Sequence, residues 1–156
     1  MKKTTKQKEK LLIGSTDHVD LPSFDLADIP CKIDTGAETS AIHCHRVKLV
    51  EKDGEEFICF QLLDPSHKQY NGKEFRTNKF EERKVRSSSG VADYRYVITT
   101  EVELFGQRFE TEFTLADREK MKFPILLGKR LLKKNFLVDV SKNNLSFKKK
   151  QTETSL

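Results

Sequence analysis

The stretch IPCKIDTGAETSAIHC, from Ile29 to Cys44, sets one charged side chain between two apolar runs. Asp34 ends the strand-like CKI, and Thr35 and Gly36 follow it at once. Ala37 and Ser40 then lead into a second apolar run, AIHC. A carboxylate beside apolar residues is costly unless it is hydrogen-bonded or reaches water. Taken alone, Asp-Thr-Gly also fits an ordinary surface turn. A later segment sharpens the reading: FPILLGKRLL, Phe123 to Leu132, is an apolar run closed by Gly128 and followed by helical spacing.

Working outward, most of the chain shows period-two or short apolar runs between turn residues, which points to β structure. Strands are expected at Cys31–Ile33, Ala41–Val50, Glu56–Leu63, Tyr94–Leu104, Arg108–Leu115, Ile125–Leu127, Phe136–Val140 and Asn144–Phe147. Asp53-Gly54 predicts a hairpin turn, and Gly106 a second. Within VITTEVEL, Ile98, Thr100, Val102 and Leu104 share one face, the more apolar one, which should meet the core. One short helix is expected from Lys129 to Lys134. Residues 64–90 are polar and irregular, and a loop of that length in a compact domain is usually functional or disordered.

The chain has 156 residues, enough for one domain with a core of its own. The expected organisation is a basic flexible tail at 1–10, a single domain at 11–147 and a second basic tail at 148–156. The net charge of +5 belongs to those tails: +4 at the N-terminus and +2 at the C-terminus, leaving the body at −1. A nucleic-acid partner would want a basic face with interleaved aromatics, and the body shows none. No apolar run approaches membrane-span length, and Leu11-Leu12-Ile13 is too short for a signal-peptide core. The three cysteines are odd in number and lack CxxC spacing, which fits small buried hydrophobes in a reducing compartment. A cytoplasmic bacterial protein is expected.

Asp34-Thr35-Gly36 and the later ILLG run supply what an aspartic-peptidase lobe requires. A strand delivers the aspartate to a surface loop. A hydroxyl on the next residue can hold that loop, and glycine lets the backbone approach the carboxylate. The segments LPSFDLADIPCKIDTGAETSAIHC, RKVRSSSGVADYRYVITTEVELFGQRFETEFTLADREKMKFPILLGKRLL and FLVDVS occur in order from Leu21 to Ser141. In these the chain resembles the retropepsin-like peptidases commonly named ATP-dependent zinc proteases, encoded in some bacteria near a ribosomal-protein glutamate ligase of the ATP-grasp class. It departs from that family at Glu38, where arginine is common, and at Ser89, where asparagine is common. It also has Cys31 and Cys44 in place of small residues.

The resemblance implies an all-β, closed retropepsin-like barrel with one short C-terminal helix. It implies a homodimer whose two Asp34 carboxylates form the catalytic dyad, with Thr35 locking the two loops and Gly36 shaping the backbone. VRSSSGVADY, Val85 to Tyr94, is the candidate flap. Arg86, Ser87, Ser88, Ser89 and Gly90 are its candidate substrate-binding residues, and a flexible surface turn is the alternative. Arg83, Lys84, Arg86 and Arg95 cluster around it, either as solvated charge or as receptors for the carboxylates of an acidic peptide. The association with glutamate ligation points to trimming of glutamate-rich tails.

Two competing functions remain at this level. One is a non-catalytic peptide-binding module of the same fold. The other is a zinc-dependent metallohydrolase using His43 and His45, which would share a face of a strand. Two ligands do not make a catalytic zinc site, and the chain has neither an HExxH helix nor a GxxxxGK[ST] loop. No metal and no cofactor are therefore expected. Asp139 reads as a structural aspartate at a strand end, and Arg118 as a partner for a buried carboxylate.

Overall fold

The computed structural model describes residues 9–86, 90, 92–116 and 122–154. The site is positioned by how β10 (Ile125–Leu127) enters the sheet. β10 runs parallel to β3 (Leu26–Ile33), with Ile125 opposite Cys31 and Leu127 opposite Ile33. It runs antiparallel to β4 (Ser40–Lys52), with Ile125 opposite Ile42 and Leu126 opposite Ala41. The two strands that flank the Asp34 loop are thus held apart by a third, inserted from 90 residues further along the chain. Ile125 and Leu127 are completely buried. Burying an aliphatic side chain of that size stabilises the fold by about 1.5–3 kcal/mol.

The same insertion closes a barrel. Its six strands run β10, β3, β2 (Thr16–Leu21), β8 (Ala92–Leu104), β9 (Gln107–Ala116) and β4, which meets β10 again. β8 and β9 pair from Val97–Thr114 to Leu104–Gln107. Ile98, Thr100, Val102 and Leu104 turn inward and are buried, as their alternation predicts. β5 (Glu55–Leu62) and β6 (Glu74–Thr77) extend outward from β4 as an arm. The turn into that arm is Asp53-Gly54, with φ of 53° and 78°, the left-handed pair of a tight hairpin. β7 (Glu81–Arg86) pairs with the start of β8, with Arg86 opposite Ala92. β1 (Leu11–Ile13) and β11 (Phe136–Val138) form a separate parallel pair.

α1 (Lys129–Asn135) falls where it was expected. The segment at 144–147, expected as a strand, opens a helix instead, α2 (Leu145–Thr154), which runs on through the expected C-terminal tail. The reason lies at the other end of the chain. Asp17, on β2 and 1% exposed, accepts the amides of Ser146 and Phe147 at 3.0 and 3.1 Å. A buried carboxylate thereby satisfies donors that a helix start leaves unpaired. Lys150 then bridges Asp20 and Asp28. Four strands were absent from the sequence expectation: β1, β2, β6 and β7. No helix among the described residues is long and apolar enough to cross a membrane.

Candidate active site

Asp34 sits at the C-terminal end of β3, where its amide donates to the Leu127 carbonyl at 2.9 Å. Its carboxylate Oδ1 accepts the Gly36 amide at 2.9 Å. The rest of the loop is tied to the segment after β10. The Ala37 and Glu38 carbonyls accept the amides of Lys129 and Arg130 at 2.7 and 3.1 Å, and Ser40 Oγ accepts the Gly128 amide at 3.0 Å. The first amides of α1 are thus used to brace the aspartate loop. Gly128 permits this closeness: a Cβ there would lie 2.8 Å from the Ala37 carbonyl oxygen. Asp34 is half-buried, while Thr35 and Gly36 are exposed. The Thr35 hydroxyl has no hydrogen-bond partner among the described residues, so it is available at the surface.

The remaining sequence-predicted residues fall in three places. Arg86 ends β7, and Gly90 is exposed with φ of 80°, at the tip of the β7–β8 hairpin. Ser87, Ser88 and Ser89 lie outside the described residues, as does Arg118. Arg83 is engaged by its own chain, with ion pairs to Glu81 at 2.8 Å and Glu112 at 2.9 Å. Arg95 lines a cleft of about 720 Å³ at the root of the hairpin, together with Arg46, His45 and Tyr94. The buried Nε of Arg95 has no hydrogen-bond partner. Asp139 holds the turn after β11, accepting the Ser141 amide and hydroxyl at 2.9 and 2.6 Å. Those hydrogen bonds, the hydroxyl foremost, hold its carboxyl below the usual range.

His43 and His45 do not converge on a common ligand position. His43 is buried and instead pairs with Asp64, Nε2 to Oδ2 at 2.6 Å, while His67 Nδ1 lies 3.4 Å from the same oxygen. Burial raises the Asp64 pKa, but the Ser66 hydroxyl and amide, with His43 and His67, outweigh it and hold the group at about 2. Cys31, Cys44 and Cys59 are free and buried. Burial pushes the thiols of Cys31 and Cys44 up, and the charge of Asp17 adds to the effect at Cys31.

With this geometry in hand, residues 12–149 match the family of the retropepsin-like aspartic endopeptidase RimB. The chain belongs to that family. Among curated proteins, it is 30% identical over 134 residues to a probable alpha-L-glutamate ligase of Shewanella pealeana. It is 28% identical over 130 residues to one of Desulfotalea psychrophila. These alignments take in 86% and 83% of this chain but only 29% and 28% of those proteins, so the chain spans under a third of the relatives' length. A crystal structure of a Legionella pneumophila protein of unknown function (DUF785) shares the fold, with a TM-score of 0.69 at 19% identity. That match covers 88% of this chain and 99% of the other.

Proposed function

We propose that the chain is an aspartic peptidase that works as a homodimer, with Asp34 of each copy forming one catalytic dyad. The observation that carries this reading is the Asp34 loop itself. It is a strand-end carboxylate, bonded by the Gly36 amide and backed by β10 and Gly128. These 156 residues hold one Asp-Thr-Gly motif, and in this reading the second carboxylate comes from a second copy across a two-fold axis.

In that arrangement two carboxylates about 3 Å apart share one proton, because both cannot ionise. The ionised member takes a proton from water as the water oxygen attacks the peptide carbonyl carbon. The protonated member donates to the carbonyl oxygen. Collapse of the tetrahedral intermediate breaks the C–N bond, and the amine leaves with a proton. Thr35, exposed and without a hydrogen-bond partner among the described residues, meets the loop of the second copy. The β7–β8 hairpin, which carries Arg86 and Gly90, closes over the substrate and excludes water from the dyad.

The relatives support a substrate class. Their name is that of proteins that join glutamate, and a segment like this chain forms part of their length. Glutamate-rich peptide tails are the reading that best joins the two activities. Arg46 and Arg95 in the cleft at the flap root have no carboxylate partner among the described residues, and so suit such tails. The test is incubation with peptides carrying oligoglutamate C-termini and with neutral peptides of equal length, with the new ends read by mass spectrometry. Cleavage of the acidic set, lost in Asp34→Asn, is expected. Tight binding without cleavage at any pH would make the chain a peptide-binding module.

A further inference from the structure

Away from the Asp34 loop, three side chains from two segments converge on one point. His43 lies on β4, while Asp64 and His67 lie in the turn that follows β5, and their ligand atoms are all within 4.8 Å of one another. Asp64 Oδ2 stands 2.6 Å from His43 Nε2 and 3.4 Å from His67 Nδ1. Bonds of about 2.0–2.1 Å to a tetrahedral zinc ion set ligand atoms roughly 3.3 Å apart, and the two observed separations bracket that spacing. His43 is 2% exposed and Asp64 5%.

The surroundings are those of a supported site. The second carboxylate oxygen of Asp64 accepts the Ser66 amide at 2.7 Å and also the Ser66 hydroxyl. Such an outer partner fixes the direction of a carboxylate ligand. Nδ1 of His67 is buried and has no hydrogen-bond partner. A buried ring nitrogen left in that state is costly, and a metal ion would satisfy it. His43, Asp64 and Ser66 also line the cleft of about 720 Å³, so two of the three ligand residues border open space.

We propose that His43, Asp64 and His67 form a binding site for a divalent transition-metal ion of the zinc class beside this cleft. Two imidazoles and one carboxylate suit such an ion better than calcium or magnesium, which prefer oxygen ligands. His43 binds as the neutral ring with its proton on Nδ1, giving up its Nε2–H hydrogen bond to Asp64. No group changes oxidation state. The ion fastens the 64–67 turn to β4 beneath the flap root. The site shares no residue with the Asp34 loop and does not depend on the peptidase reading.

The experiment is a titration of the chelator-stripped full chain, with Zn²⁺ by calorimetry and with Co²⁺ by visible absorption. One ion per chain is expected, with cobalt bands of a low-coordinate site and shifted ring signals for two of the four histidines. Asp64→Asn and His67→Gln should each abolish the cobalt bands, and Ser66→Ala should weaken zinc about tenfold. Asp34→Asn should bind like the wild type. Circular dichroism checks the fold of each variant, and the wild-type titration decides the matter if one fails to fold. No stoichiometric binding by the wild type would overturn the proposal. So would binding unchanged in folded Asp64→Asn and His67→Gln, which would leave the cluster as hydrogen bonding alone.

Discussion

A methyl group added at position 128 has nowhere to go. It would lie 2.8 Å from the Ala37 carbonyl oxygen and 2.9 Å from the Thr39 carbonyl carbon, both backbone atoms of the aspartate loop. Gly128→Ala must therefore push the loop outward. The expected result is a folded protein destabilised by about 1–3 kcal/mol, as for other overpacked sites, with the proposed peptidase activity reduced far more than stability. Urea denaturation and the cleavage assay measure the two effects separately. The cysteines give a second test at this scale. All three are buried, and burial pushes the Cys31 and Cys44 thiols up, so thiolate is scarce. Ellman's reagent should react with none promptly in the native protein and with three after unfolding; rapid labelling of Cys31 would refute their placement in the core. Single residues were unevenly legible in the sequence. Asp34 and Gly128 could be found because apolar runs frame each of them. The His43–Asp64–His67 cluster could not, because His43 lies 21 residues before Asp64, on the other side of β5, and Asp64 opens a long polar stretch. Asp64-Pro65-Ser66 does carry a local turn signal, but nothing in it names His43 as the partner.

At the scale of elements, α2 depends on a residue more than a hundred positions away. Asp17 Oδ1 and Oδ2 accept the Phe147 and Ser146 amides, and Oδ1 also accepts the His18 amide at 2.8 Å. Asp17→Ala would strand buried donors, each at a cost of about 1–3 kcal/mol. A lowered urea midpoint and a loss of helical circular dichroism are expected together. An unchanged helical signal would show that α2 stands without Asp17. The same residue explains two misreadings of the sequence. In β2, the inward positions are Asp17, Val19 and Leu21, so a charge interrupts the apolar period and the strand is hidden. At α2, the start signal comes from Asp17 rather than from a local cap, and LSF alone resembles a strand. β6 and β7 escaped for a different reason. They lie on the outer arm and in the β7–β8 hairpin, where β6 shows only half-buried positions, with Phe75 packed against the edge of the core, and charged residues dominate both strands, so their sequences read as a polar loop. The eight-strand expectation otherwise placed β3, β4, β5, β8, β9, β10 and β11 within their observed bounds or close to them, because those strands carry the core.

At the scale of the whole molecule, barrel closure was legible only through the family resemblance. Periodicity names strands but not neighbours, and the insertion of β10 between β3 and β4 is a long-range pairing. The functional consequence belongs to this scale too, since one chain supplies one Asp34. If two copies build each site, subunits carrying Asp34→Asn poison their wild-type partners. The most direct measurement is to unfold wild type and Asp34→Asn together at set ratios, refold them, and assay glutamate-tail cleavage against the wild-type fraction. Random pairing predicts activity that follows the square of that fraction, about a quarter of the wild-type rate at equal amounts. A linear fall to about a half, or cleavage by Asp34→Asn alone, would contradict the shared two-aspartate site.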